Sequence, residues 1–144
     1  MSSEELLHGD ITDKILKAFY TVYNALGYGF LEKVYENAMI LELRALGLRV
    51  ERQVPLKIHY GQHLIGEYFA DLVVEGKVIV ELKSAETISQ SHINQLQNYL
   101  KATDIEAGML LNFGEEPKFK RKIFTASRKA FRKIAQQQSL SDPR

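Results

Sequence analysis

Tyr68-Phe69-Ala70-Asp71-Leu72-Val73-Val74-Glu75-Gly76-Lys77-Val78-Ile79-Val80-Glu81-Leu82-Lys83 is the stretch on which the fold of this 144-residue chain turns. Its even positions (Tyr68, Ala70, Leu72, Val74, Gly76, Val78, Val80, Leu82) are nearly all apolar, and a strand's side chains alternate between faces with period two. The even face is therefore expected to be core. Glu75-Gly76 interrupts the run with turn chemistry and predicts two antiparallel strands, about 66–73 and 77–84, joined by a tight hairpin. The odd residues Phe69, Asp71, Val73, Ile79, Glu81 and Lys83 then share the other face. A strict two-residue loop at Glu75-Gly76 would pair Asp71 with Val80 and turn Glu81 away. A three-residue loop, Val74-Glu75-Gly76 with a left-handed glycine, keeps both odd sets together and makes Asp71 a diagonal neighbour of Glu81. The hydrophobic pattern favours the second register, or a bulge of the same parity.

Charged residues seldom enter a strand that otherwise reads Val-Ile-Val, because an unpaired buried carboxylate costs several kcal/mol or shifts its pKa until it is neutral. A metal ion removes that penalty, and two carboxylates with a lysine at this spacing can hold a divalent cation beside a phosphodiester. The plainer alternative is an ordinary ion pair of Lys83 with Asp71 or Glu81 on a solvated sheet face.

Two helices complete the candidate site. Thr87-Ile88-Ser89-Gln90 has the form of a capping box; after it Ile93, Leu96 and Leu100 make an apolar stripe, and His92, Gln95 and Tyr99 line an adjacent one. This helix directly follows the Glu81/Lys83 strand, so its polar stripe can lie over the carboxylates, with solvent as the alternative. Upstream, Gly29-Phe-Leu-Glu32-Lys-Val-Tyr35-Glu36 opens a helix expected to run to about Leu46 and stop at Gly47. Glu32, Tyr35, Glu36 and Met39 fall on one face, leaving Val34 and Leu41 for the core side. Glu32 can add a carboxylate near the metal, or Glu32 and Glu36 can pair with Lys33 on the helix surface.

The remainder reads as scaffold. Ile11, Ile15, Phe19, Val22, Tyr23 and Leu26 give a first helix its core face, ended by Gly27; Arg49 to Ile65 suggests a hairpin turning at Gly61-Gln62, with Pro55 near an edge or bulge. Ala107-Gly-Met-Leu-Leu-Asn-Phe113 reads as a short apolar strand, expected to be central and buried on both faces. His59 and His63 flank the turn as surface residues. With 45% hydrophobic residues and no low-complexity segment, residues 1–144 fit one domain. No apolar run reaches a membrane span and the polar start is no signal peptide. The absence of cysteine excludes disulfides and thiolate metal sites, and a cytoplasmic location is the default.

The net charge of +1 hides an asymmetry. Residues 117–141 contain Lys118, Lys120, Arg121, Lys122, Arg128, Lys129, Arg132 and Lys133 and no acidic residue. Phe119, Ile123, Phe124, Phe131 and Ile134 among them suggest a docked amphipathic helix whose basic face suits a phosphate backbone, or equally a solvated helix that balances an acidic body.

The order helix glutamate, strand aspartate, E-x-K strand and helix glutamine resembles the PD-(D/E)XK nuclease superfamily. More narrowly, Gly29-x-x-Glu32-x-x-Tyr35, Gly66-Glu-Tyr-Phe-Ala-Asp71-Leu-Val-Val and His92-Ile-Asn-Gln95-Leu-Gln-Asn-Tyr99-Leu-Lys-Ala-Thr103 are similar to the GxxExxY family within it, over roughly Ile11 to Gly114. The resemblance implies an α/β (α+β) restriction-endonuclease-like core: a central mixed β-sheet flanked by helices, with a metal site at one end of the strands. It implies Asp71 and Glu81 as metal carboxylates, Lys83 as the charge-stabilising or water-orienting lysine, Gln95 as the supporting helix residue and Glu32 as the first-helix carboxylate, with Tyr35, Glu36, His92 and Tyr99 supporting. The cation would be magnesium, with manganese a substitute, because hard cations prefer oxygen ligands.

Three functions follow from the residues. One is a metal-dependent phosphodiesterase cutting DNA or RNA; the others are a catalytically silent nucleic-acid-binding module of the same fold and a module sensing a metal or nucleotide. A homodimer would let a one-site protein cut two strands, although the sequence names no interface for it.

Overall fold

The computed structural model describes residues 7–127. Two helices come first, α1 (Gly9–Leu26) and α2 (Glu32–Ala45), followed by β1 (Val50–Tyr60), β2 (His63–Val74), β3 (Val78–Lys83), α3 (Gln90–Ala102), β4 (Ala107–Phe113) and β5 (Pro117–Ile123). The strands form one mixed sheet in the order β1-β2-β3-β4-β5, antiparallel except for the parallel β3–β4 step. Parallel neighbours cannot be joined by a tight turn, so α3 is the crossover and packs on one sheet face. The helices α1 and α2 cover the other.

That two-sided cover corrects the expectation of a single core face. Leu72, Val74, Val78, Val80 and Leu82 pack with Ile15, Phe19, Tyr35, Met39 and Leu43 of α1 and α2. Val73, Ile79 and Leu110 pack with Leu96, Tyr99 and Leu100 of α3, and Ala70, an even residue, joins them there. Tyr68, also even, is half exposed. The alternation fails at Asp71, which lies unpaired in the β1–β2 ladder opposite Gln53, a β1 residue with φ of 48°. As expected, β4 is buried along its whole length.

The β2–β3 hairpin pairs Val74 with Val78, Val73 with Ile79 and Leu72 with Val80. Its loop is therefore Glu75-Gly76-Lys77, one residue later than expected but of the same parity. Glu75 and Gly76 both take positive φ, 55° and 63°. Two bonds hold Glu75 in a conformation that a side chain resists: its N–H donates to the Arg49 carbonyl (2.8 Å), and its carboxylate accepts the Arg49 N–H (2.7 Å). The one-residue shift places Asp71 directly opposite Glu81 instead of diagonal to it.

Three further expectations need correction. The core side of α2 is Tyr35, Met39, Ile40 and Leu43, while Val34 and Leu41 are exposed, because Tyr35 packs flat on Phe113 with ring centroids 4.0 Å apart. The cap of α3 is Ser89, not Thr87: the Ser89 hydroxyl accepts the His92 N–H (3.2 Å), and His92 Nδ1 accepts the Ser89 N–H (3.3 Å). The start of the basic segment, Pro117–Ile123, is the edge strand β5 and not a helix, because its alternating side chains pair along the full length of β4. Arg128, Lys129, Phe131, Arg132, Lys133 and Ile134 lie outside the described residues. Among the described residues no helix is long and apolar enough to cross a membrane.

Candidate active site

Asp71 on β2 and Glu81 on β3 stand side by side where the two strands part. The β2–β3 ladder ends at Leu72 and Val80, and beyond it the carboxylates replace main-chain bonds. Asp71 Oδ2 accepts the Leu82 N–H at 2.8 Å, and Glu81 Oε2 accepts the Asp71 N–H at 3.1 Å. Glu81 is 4% exposed and Asp71 half-buried. Burial first, and then the neighbouring Asp71 charge, push the Glu81 carboxyl from 4.5 to about 9, with Lys83 pulling weakly the other way. Among the described residues neither carboxylate has an ion-pair partner: Lys83, half-buried at the end of β3, pairs with neither, so the plain Lys83 ion pair is not what this sheet holds.

The face that carries Glu81 is the one α3 covers, and on α3 Tyr99 lies near enough to feel the charge of both carboxylates. Burial first, and then the Glu81 and Asp71 charges with Tyr68, push its hydroxyl up to about 12, so it stays protonated as a donor. The half-exposed Tyr68 ring leans on it, centroids 5.6 Å apart. Gln95 sits half-buried one turn before Tyr99. His92, expected to support the site, spends its Nδ1 on the helix cap.

From the opposite side, α2 contributes Glu36. It is 3% exposed; its Oε2 accepts a bond from Lys33 Nζ (2.7 Å) and its Oε1 one from Gln53 Nε2 (2.7 Å). Burial raises the pKa of this carboxyl, but the Lys33 and Gln53 bonds and the Lys33 and Arg52 charges outweigh it and hold Glu36 below the usual range. Gln53 Nε2 also comes within 3.5 Å of Asp71 Oδ1. Glu32, the expected first-helix carboxylate, is exposed on the first turn of α2, one turn short of where β1 passes. Tyr35 is fully buried and donates its hydroxyl to the Gly27 carbonyl (2.7 Å), so it fastens the α1–α2 connection.

Two residues that bear on the site went unrecognised in the sequence. Gln53 is one; Pro55, two residues on, already marked irregularity in β1. Asn112 is the other. Its buried carboxamide accepts the Ala85 N–H (2.9 Å) and donates to the Ala85 carbonyl (3.0 Å), pinning the segment that leaves Lys83. A lone polar residue in an apolar central strand was its signal.

Among the basic residues, Lys118 and Lys120 are exposed on β5, whereas Lys122 is half-buried. Lys118 pairs with Glu116 (3.3 Å), and Arg121 donates to the Leu7 carbonyl (2.5 Å). No group of three or more His, Asp or Glu close enough to share a metal occurs among the described residues. The donor set that remains, two facing carboxylates with no cation partner among the described residues, suits a hard divalent ion with oxygen ligands.

A family model described as the PD-(D/E)XK nuclease superfamily matches residues 9–123. None of the curated proteins matches the chain. Among solved structures, SSO0001 is similar with a TM-score of 0.51 and 17% identity, over 78% of this chain and 61% of that one. An alkaline exonuclease from Laribacter hongkongensis (LHK-Exo) is similar with a TM-score of 0.51 and 12% identity, over 76% of this chain and 64% of that one. The chain thus spans less than two thirds of either protein, and at these identities the likeness is one of fold.

Proposed function

Because the chain belongs to the PD-(D/E)XK nuclease superfamily, we propose that it is a divalent-metal-dependent phosphodiesterase that hydrolyses DNA or RNA. The observation that carries this reading is the facing of Asp71 and Glu81 across β2 and β3, with Lys83 two residues on and, among the described residues, no cation paired to either carboxylate. Asp71 and Glu81 would hold magnesium, or manganese in its place, with the main-chain carbonyl after Glu81 and waters as further oxygen ligands. When bound, the cation supplies Lewis acidity toward the phosphate and lowers the pKa of a coordinated water.

This chain's residues do the rest. Asp71 is oriented by the Leu82 N–H, so one carboxylate oxygen is fixed before substrate arrives. Glu81, which burial keeps protonated in the metal-free protein, would give its proton to solvent on holding a cation. Lys83, unpaired with either carboxylate, is available to stabilise charge that builds on the phosphate or to orient the attacking water. Tyr99 offers a protonated hydroxyl, and Gln95 a carboxamide one turn away for a water or a phosphate oxygen. Lys118 and Lys120, exposed on the edge strand β5, supply positive charge for flanking phosphates.

The test is cleavage of labelled single-stranded and duplex DNA and RNA with magnesium or manganese by the wild type, Asp71→Ala and Lys83→Ala. Metal-dependent cutting lost in both variants is expected. No cutting, with metal binding that requires Asp71, would replace this reading with a binding or sensing module.

A further inference from the structure

Gln53, near the start of β1, has φ of 48°, a left-handed conformation that glycine accepts freely and glutamine does not. The β1–β2 ladder pairs Arg52 with Leu72 and Val54 with Ala70, but skips Gln53 and Asp71, which lie opposite each other between those pairs. The kink therefore falls beside a candidate metal carboxylate. Glycine would meet the backbone requirement with less strain; what it lacks is the carboxamide. That carboxamide donates to Glu36 Oε1 at 2.7 Å and approaches Asp71 Oδ1 at 3.5 Å. The far end of the tie is fixed, since Glu36 is buried against Lys33 and the next residue pair, Arg52 to Asn37, is bonded at 2.8 Å.

We infer that Gln53 is a positioning residue for Asp71, its carboxamide tethering the metal carboxylate to Glu36 across the β1 kink. The inference rests on the metal-centre reading proposed above. An amide has two N–H donors and no charge, so it bridges two carboxyl groups without placing a cation where a divalent ion must bind. A lysine at this position would satisfy both carboxylates and compete with the metal. The tether also explains how Glu36 bears on the site while lying outside the ligand set.

The experiment is calorimetric titration of Mn2+ alone, without nucleic acid, into the wild type, Gln53→Gly, Glu36→Ala and the double variant, each checked for folding by circular dichroism at the titration temperature. Glycine preserves the left-handed kink, so a residue that merely shapes the backbone would leave affinity unchanged in Gln53→Gly. The tether predicts a loss of about 10- to 100-fold, the usual effect of removing a residue that orients a metal ligand. It also predicts that Gln53→Gly adds little once Glu36 is Ala. Wild-type affinity in folded Gln53→Gly, or full additivity in the double variant, would overturn the inference while leaving the metal centre standing. A flat titration of the wild type would overturn the metal centre and the tether together.

Discussion

Asp71 and Glu81 hold each other's strand: the amide of Leu82, next to Glu81, donates to Asp71 Oδ2 (2.8 Å), and the amide of Asp71 donates to Glu81 Oε2 (3.1 Å). Two carboxylates thus take over the main-chain pairing just where β2 and β3 part. Donors hold both in place, yet the pair carries more potential negative charge than its surroundings neutralise. The metal-free protein resolves this by keeping a proton on Glu81.

Stability should therefore depend on pH in a defined direction. The Glu81 carboxyl titrates near 4.5 when unfolded and at about 9 when folded. Between those values the folded state binds the extra proton, so metal-free stability falls as pH rises, and the loss is complete above about pH 9. Thermal melts without metal from pH 5 to 9 should show a falling melting temperature, and Glu81→Gln, which keeps the shape without the ionisation, should flatten the curve. An equally steep fall in Glu81→Gln would place the titration elsewhere.

Metal binding should release a proton. At pH 7 Glu81 is still protonated, so if it is a ligand, loading the site expels about one proton and affinity rises about tenfold per pH unit toward pH 9. Calorimetry of Mn2+ binding in two buffers of different ionisation enthalpy measures that proton directly. A release near zero would mean that Glu81 is not a ligand.

Lys83 separates binding from chemistry. It pairs with neither carboxylate and its charge opposes an incoming cation. Lys83→Met should leave metal affinity intact or slightly raised while turnover falls about 10²- to 10³-fold, the range for losing one charge-stabilising group. Parallel affinity and cleavage measurements decide it; a loss of affinity would make Lys83 a structural partner of the site.

The parity of the β2–β3 hairpin was legible because Leu72, Val74, Val78, Val80 and Leu82 repeat with period two, and that parity lets Asp71 fall opposite Glu81 at the end of the ladder, where the alternation itself breaks down. The loop position was not, because Glu75 takes its positive φ through bonds to Arg49, a residue far off in sequence. Basic charge concealed the strand β5: Lys118, Lys120 and Lys122 alternate with Phe119, Arg121 and Ile123, a pattern that fits either period over so few residues. On α2, spacing placed Glu32 and Glu36 on one face but could not tell which turn β1 crosses. Gln53 was invisible for the same reason, since its importance lies in two carboxylates from other elements.

Asn112 tests whether the strand end that carries Lys83 depends on its anchor. Its carboxamide answers both the N–H and the carbonyl of Ala85, two residues beyond Lys83, from a fully buried position. The approach is tight: a Cβ at Gly114 would lie 2.8 Å from the Ala85 carbonyl oxygen, so the Ala85 segment passes over Gly114 only because that residue is glycine. Asn112→Ala leaves two main-chain groups without partners, at about 1–3 kcal/mol each where water cannot reach them. Gly114→Ala forces that carbonyl to move, at about 1–3 kcal/mol for an overpacked contact. Both variants should melt earlier in denaturant titrations, and Asn112→Ala, by freeing the segment after Lys83, should lose more turnover than metal affinity. Unchanged turnover in a folded Asn112→Ala protein would show that Lys83 is held by β3 alone.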